Sequence, residues 1–158
     1  MIYDNGSVRR QDRLMSEDEA RGLLRSGEYG FLAMASAEGG YGIPVSYAAE
    51  DDTIYIHCAP EGRKLHALEH DGRVTFCVVG ATRVHPEKFT TAYESVMVRG
   101  RARVVGSDDE RRHALRLIAA KYSPQYAETG AKYIEKSFAR TAVIAVDGES
   151  FSGKAKRI

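Results

Sequence analysis

The chain has 158 residues, 43% of them apolar and 28% charged, a balance typical of one soluble domain long enough to bury a core without disulfide or metal staples. Its 23 basic and 22 acidic side chains leave a formal charge of +1, which excludes a strong field directed at nucleic acid or at an anionic membrane. No apolar run approaches the ~20 residues of a bilayer span and no basic n-region with an apolar h-region opens the chain, so a cytoplasmic protein with a single domain over 1–158 is expected.

The first dozen residues are polar and mixed. Ser16 to Glu19 spell a capping box, Ala20, Leu23 and Leu24 make an apolar stripe, and Gly27 stands where a helix stops, which predicts a helix over 16–26. Tyr29 to Ser36 reads as a strand and Glu38-Gly39-Gly40 as a hairpin turn. In Tyr41 to Ala49, Tyr41, Ile43, Val45 and Tyr47 share a face, and Pro44 demands an edge position or a break because it donates no ladder bond. Thr53 to Cys58 is the next strand, Arg63 to His70 a short helix, and Arg73 to Gly80 an apolar strand. Residues 81–92 read as less regular.

Ser95 to Val105 is a long strand whose Gly100 predicts a bulge or a close approach. Ser107 to Glu110 is a second capping box, opening a helix with Ala114, Leu115, Ile118, Ala119 and Tyr122 on one side. Ser123-Pro124 ends it. A short helix near 130–138, a strand from Arg140 to Val146 and a basic edge strand over 150–157 complete the chain. Short antiparallel segments joined by tight turns predict a mainly β barrel or sandwich with peripheral helices.

Chemistry concentrates between His57 and Leu65. There a strand ends, a glycine turn follows, and a helix opens with Arg63 and Lys64. Helix-terminal amides plus two cations can seat a phosphate; a solvated turn with two surface cations fits the same letters. His57 and Cys58 are adjacent, so on a strand they point to opposite faces and cannot share a metal. His66 and His70 stand at i and i+4, a metal-capable spacing, but no third ligand is near and two solvent-facing histidines are expected. No base flanks Cys58, and Cys58 and Cys77 read as buried, inert thiols. Tyr41, Tyr47 and Tyr55 suit either stacking on a planar cofactor or a half-buried sheet. The basic tail from Lys154 to Arg157 fits a phosphate clamp or a solvated end.

Several stretches, in order and spacing, resemble the FMN-binding split β-barrel superfamily related to pyridoxamine 5′-phosphate oxidase, and its nitroimidazole reductase branch in particular. They are Arg10-Gln11-Asp12-Arg13, Gly27 to Ala33, Gly42 to Tyr47, Ile54 to Ala59, Gly62 to Leu65, Val74 to Gly80, Pro86 to Val96, Lys121 to Pro124, and Ser152 to Ala155. The resemblance spans residues 9 to 157. It implies a homodimer with FMN at the interface. By similarity, Pro44, Val45, Ser46 and Tyr47 flank the flavin ring through their backbone, and Gly62, Arg63 and Lys64 bind the phosphate. His57, with Cys58 beside it, stands near the ring and the substrate, and Glu94, Ser95 and Val96 approach from a neighbouring strand. The implied function is a flavin-dependent oxidoreductase in which His57 is catalytic and a small electron-poor, nitroaromatic-like molecule is the substrate. A non-catalytic flavin carrier or redox sensor, and a deazaflavin-dependent reductase, are the alternatives within the same fold.

Overall fold

A two-residue strand, β1 (Ile2–Tyr3), precedes the first helix. In the computed structural model, which describes residues 1–158, the Ser16 hydroxyl accepts from the Glu19 amide and the Glu19 carboxylate accepts from the Ser16 amide. The expected capping box is therefore complete, and α1 runs Glu17–Ser26 with Ala20 and Leu24 buried.

Strands β2 (Gly30–Ser36) and β3 (Gly39–Val45) pair with Ser36 opposite Gly39. The turn is thus Ala37–Glu38, starting one position before the expected Glu38-Gly39-Gly40, because Gly39 already joins the ladder. Strand β3 lies at the sheet edge, as Pro44 requires. The expected strand over 41–49 breaks at Ser46–Tyr47, and β4 (Ala48–Glu50) follows. Strand β5 (Thr53–Cys58) and helix α2 (Arg63–His70) occupy their expected positions.

Residues 81–92 are mostly strand, after a register shift between Val79 and Thr82. Strands β6 (Arg73–His85) and β7 (Thr90–Val104) extend past the sheet as a two-stranded arm, with Thr82 to His85 paired to Thr90 through Tyr93. A 3-10 turn at Pro86–Lys88 closes the arm, and Phe89 takes a left-handed φ of 49°. The β-branched Thr82, Val84, Thr90 and Thr91 favour this pairing; Pro86 and the charges around it mask the signal in the sequence.

Helices α3 (Asp108–Tyr122) and α4 (Ala127–Ser137) form an outer layer. The second capping box is only half made. Ser107 accepts from the Glu110 amide, but the Glu110 carboxylate turns to Arg103, with contacts of 2.7 and 3.1 Å, a charge-assisted bond that outcompetes a neutral amide.

The last strand, β8 (Ala142–Lys156), is continuous. The separate edge strand expected over 150–157 is its second half, and that half is interior to the sheet. It has β7 on one side, and β1 and Leu14 on the other. The strand order is β3-β2-β6-β7-β8-β5-β4. Between Arg99 and Gly100 the β7–β8 register shifts, and a Cβ on Gly100 would stand 2.2 Å from the Asp147 carbonyl oxygen. The expected bulge is thus also a close backbone approach.

The architecture is a split β-barrel with helices outside it. One core fills the barrel, with Leu32, Ile54, Ile56, Phe76, Val98 and Ile144 among its buried side chains. A smaller one lies between β5, β8 and the α3–α4 layer, around Tyr55, Leu115, Ile118, Phe138 and Val143. Residues Ala142–Val146 of β8 are buried throughout because both cores flank them. No helix is long and apolar enough to cross a membrane.

Candidate functional site

Strand alternation sorts the chemistry of β5. Ile54 and Ile56 enter the barrel core, whereas Tyr55 and His57 face the helical layer. His57 is exposed and lines a cavity of about 460 Å³. Cys58 and Ala59 share its wall, and Leu115, Ile118 and Ile134 from α3 and α4 form the opposite side. Burial pushes the Cys58 thiol up, with Lys64 pulling weakly the other way, and burial alone raises Cys77. Both cysteines are free thiols. Neither is a ready nucleophile, since a raised pKa keeps the thiolate scarce.

The turn after β5 is an open cradle. Gly62 sits at φ 125°, and a Cβ built there meets nothing within 4 Å. Its carbonyl accepts from Leu65 and His66, which starts α2 and leaves the Arg63 and Lys64 amides among the unpaired donors of the helix start. The Arg63 guanidinium lies 4.9 Å over the Tyr41 ring and 3.2 Å from Glu38. Both partners of that ion pair are well exposed, so it is a weak and exchangeable contact. Two cations, free amides and an open glycine are a donor set that fits a phosphate. His66 and His70 line a small cleft with Glu38, Tyr41 and Arg63, and no group of three His, Cys, Asp or Glu side chains comes together there.

The four residues at the β3–β4 break divide. Pro44 and Ser46 are exposed and Val45 is half-buried. The Tyr47 side chain is fully buried: its hydroxyl donates to the Leu24 carbonyl at 2.6 Å and its ring meets Phe76 edge-on at 4.8 Å. Tyr47 therefore holds the barrel and does not stack on a ligand. Its amide donates to the Tyr122 hydroxyl at 2.9 Å. On β7 the alternation again decides. Val96 is fully buried. Glu94 turns inward, where a Cβ on Gly80 would meet its carboxylate at 3.1 Å. Of this trio only Ser95 presents its side chain to the outer cleft of the sheet.

Two residues of the Lys121 to Pro124 motif, Lys121 and Tyr122, contact the β3–β4 break. The Tyr122 hydroxyl, besides accepting from Tyr47, stands 2.7 Å from the Glu28 carbonyl and 3.0 Å from that of Tyr47. The Lys121 ammonium lies 3.7 Å from the centre of the Tyr47 ring with no hydrogen-bond partner, and burial lowers its pKa to about 8. A lysine and a tyrosine closing an amphipathic helix look like ordinary surface residues in the sequence; only the fold brings them onto the β3–β4 break.

A family model described as Pyridoxamine 5′-phosphate oxidase matches residues 16–155. No curated protein matches the chain by sequence. Among solved structures, a candidate 5-nitroimidazole antibiotic resistance protein from Bacteroides thetaiotaomicron superposes with a TM-score of 0.72 at 22% identity, over 90% of this chain and 86% of that one. An FAD- and heme-binding protein from Mycobacterium smegmatis gives 0.77 at 19% identity, over 90% and 72%. An FAD-binding protein from Mesorhizobium loti gives 0.64 at 22%, over 92% and 98%. At these identities the likeness establishes a fold that flavoproteins use.

Proposed function

Because the chain belongs to the pyridoxamine 5′-phosphate oxidase family, we propose that it is an FMN-dependent oxidoreductase that reduces a small electron-poor molecule of nitroaromatic type. The observation that carries the reading is the cradle at Gly62, with Arg63 and Lys64 opening α2 beside His57. When bound, FMN supplies the redox chemistry, and the protein positions it.

The chain's own groups have distinct tasks in this reading. The Arg63 and Lys64 side chains and amides hold the phosphate, and Arg63 leaves Glu38 to do so. Val45 and Ser46 offer backbone to the flavin ring, since the Tyr47 amide is already committed to Tyr122. Ser95 approaches from β7. His57 orients the substrate or gives it a proton, as a positioned imidazole can in general acid catalysis. The apolar cavity next to His57 excludes water from the bound molecule.

A homodimer completes the reading. Phe31, Val79 and Met97 are 45%, 48% and 46% exposed on three adjacent strands of the outer sheet face, an apolar band of the kind that marks an interface. Two free thiols suit a reducing compartment such as the cytoplasm.

The visible spectrum of the purified protein tests the cofactor, followed by denaturation to identify what is released. Flavin bands with FMN in the supernatant support the reading. A colourless chain that takes up neither FMN nor FAD refutes it. Multiple turnovers with a nicotinamide donor and a nitroaromatic acceptor separate an enzyme from a flavin carrier.

A further inference from the structure

On the outer face of the sheet, Ser95, Met97 and Arg99 of β7 stand opposite Lys154, Ser152 and Ser150 of β8. The N-terminal segment crosses beside these rows and adds Arg9, which closes a polar cleft of about 270 Å³. Arg9, Arg99 and Lys154 all line it, and none has a carboxylate within 4 Å. Other arginines of the chain do, Arg103 and Arg112 among them. The hydroxyls of Ser95, Ser150 and Ser152 lie on the same face, and the Ser7 hydroxyl joins them from the crossing segment. One acid, Asp4, shares the lining, and its Oδ1 accepts from the Gly6 amide. Three cations against one carboxylate leave two positive charges among hydroxyl donors.

We propose that this cleft is an anion site for a phosphate monoester, distinct from the cradle at Gly62. A monoester carries about −1.5 to −2 charge at neutral pH and offers three strong acceptor oxygens, which matches the charge and the donors. A carboxylate would neutralise half of the charge and leave most of the donors idle. The cleft also shares Met97 with the apolar band. A second copy packed on that band would desolvate cations at its margin, a costly arrangement unless an anion accompanies them. The phosphate has two sources, a separate phosphorylated ligand or the flavin's own phosphate, and the second rests on the function proposed above.

Calorimetric titration of inorganic phosphate into the flavin-free full chain tests the site. Three proteins are compared: wild type, Arg63→Gln/Lys64→Gln, and Arg99→Gln/Lys154→Gln. Phosphate binding should persist in R63Q/K64Q and weaken roughly tenfold or more in R99Q/K154Q, as charge-assisted bonds are lost. Undiminished affinity in R99Q/K154Q, or complete loss in R63Q/K64Q alone, overturns the proposal. If R99Q/K154Q lacks a cooperative melt, Ser152→Asp places a like charge against the anion and should weaken binding as much; unchanged binding there overturns the proposal equally.

FMN retention by the same proteins identifies the source. FMN held normally by R99Q/K154Q assigns the cleft to a separate phosphorylated ligand. FMN lost from R99Q/K154Q but kept by R63Q/K64Q makes the cleft the flavin's own phosphate seat. Failure of every protein, wild type included, to bind flavin refutes the proposed function and leaves the phosphate result standing.

Discussion

The Tyr122 hydroxyl joins the helical layer to the barrel through one oxygen, which serves the Tyr47 amide and two carbonyls. Tyr122→Phe leaves a partly buried amide without an acceptor and should cost about 1–3 kcal/mol, read as a lower urea midpoint. Lys121 beside it makes stability depend on pH. Burial lowers its pKa to about 8 from 10.5, so between these values the folded chain binds fewer protons than the unfolded chain. Stability therefore rises with pH through that window. The Tyr47 ring offsets part of the penalty by favouring the ammonium. Lys121→Met should flatten the rise and stabilise the protein at neutral pH by on the order of 1 kcal/mol, checked by melts from pH 7 to pH 10. At His57 the expectation concerns rate. His57→Ala should retain FMN and lose turnover by about a hundredfold, measured with a nitroaromatic acceptor; unchanged turnover removes the histidine from the chemistry.

Among the elements, the β7–β8 pair has the least tolerance. Gly100→Ala drives a methyl group into the Asp147 carbonyl, a backbone atom fixed in the ladder, and should destabilise by roughly 1–3 kcal/mol. Gly40→Ala on the edge strand, where a Cβ meets nothing, should fall within about 0.5 kcal/mol of wild type. Thermal melts of the two give the contrast. Local signals of this kind were readable in the sequence wherever neighbours in the chain set the structure. The Ser16 cap, the limits of β5 and α2, the edge position of Pro44 and the Gly100 bulge are all of this type. The signals failed where distant partners decide. Glu110 abandons its cap for Arg103, which sits seven residues back but on another element. The arm at 82–93 becomes strand only because its two halves pair across Pro86–Lys88. Residues 150–156 read as a basic edge because their partner, β1 with Leu14, lies at the other end of the chain.

At the scale of the whole molecule, the cradle on α2, the His57 cavity and the outer cleft draw their linings from different sets of elements. Sequence spacing brings the groups of the first together, since they are contiguous. It named His57 but gave no view of the cavity wall supplied by α3 and α4, nor of a cleft assembled from the N-terminus, β7 and β8. The apolar band on the outer face is expected to associate with a second copy. Phe31→Asp should convert a dimer to a monomer without lowering the melt by more than about 0.5 kcal/mol, as seen by light scattering coupled to size exclusion. A monomeric wild type at micromolar concentration would refute the dimer.

The interior place of β8 also governs the order of events in time. Strands β5 and β7 are its neighbours on either side, and β8 is the last element of the described chain to be synthesised. Until it emerges, each of those strands presents an open edge, and both cores lack the wall that Ala142–Val146 supplies. The barrel therefore cannot close during translation of the earlier segments. A nascent chain paused before Ala142 is the species most exposed to edge-to-edge association and most dependent on chaperones.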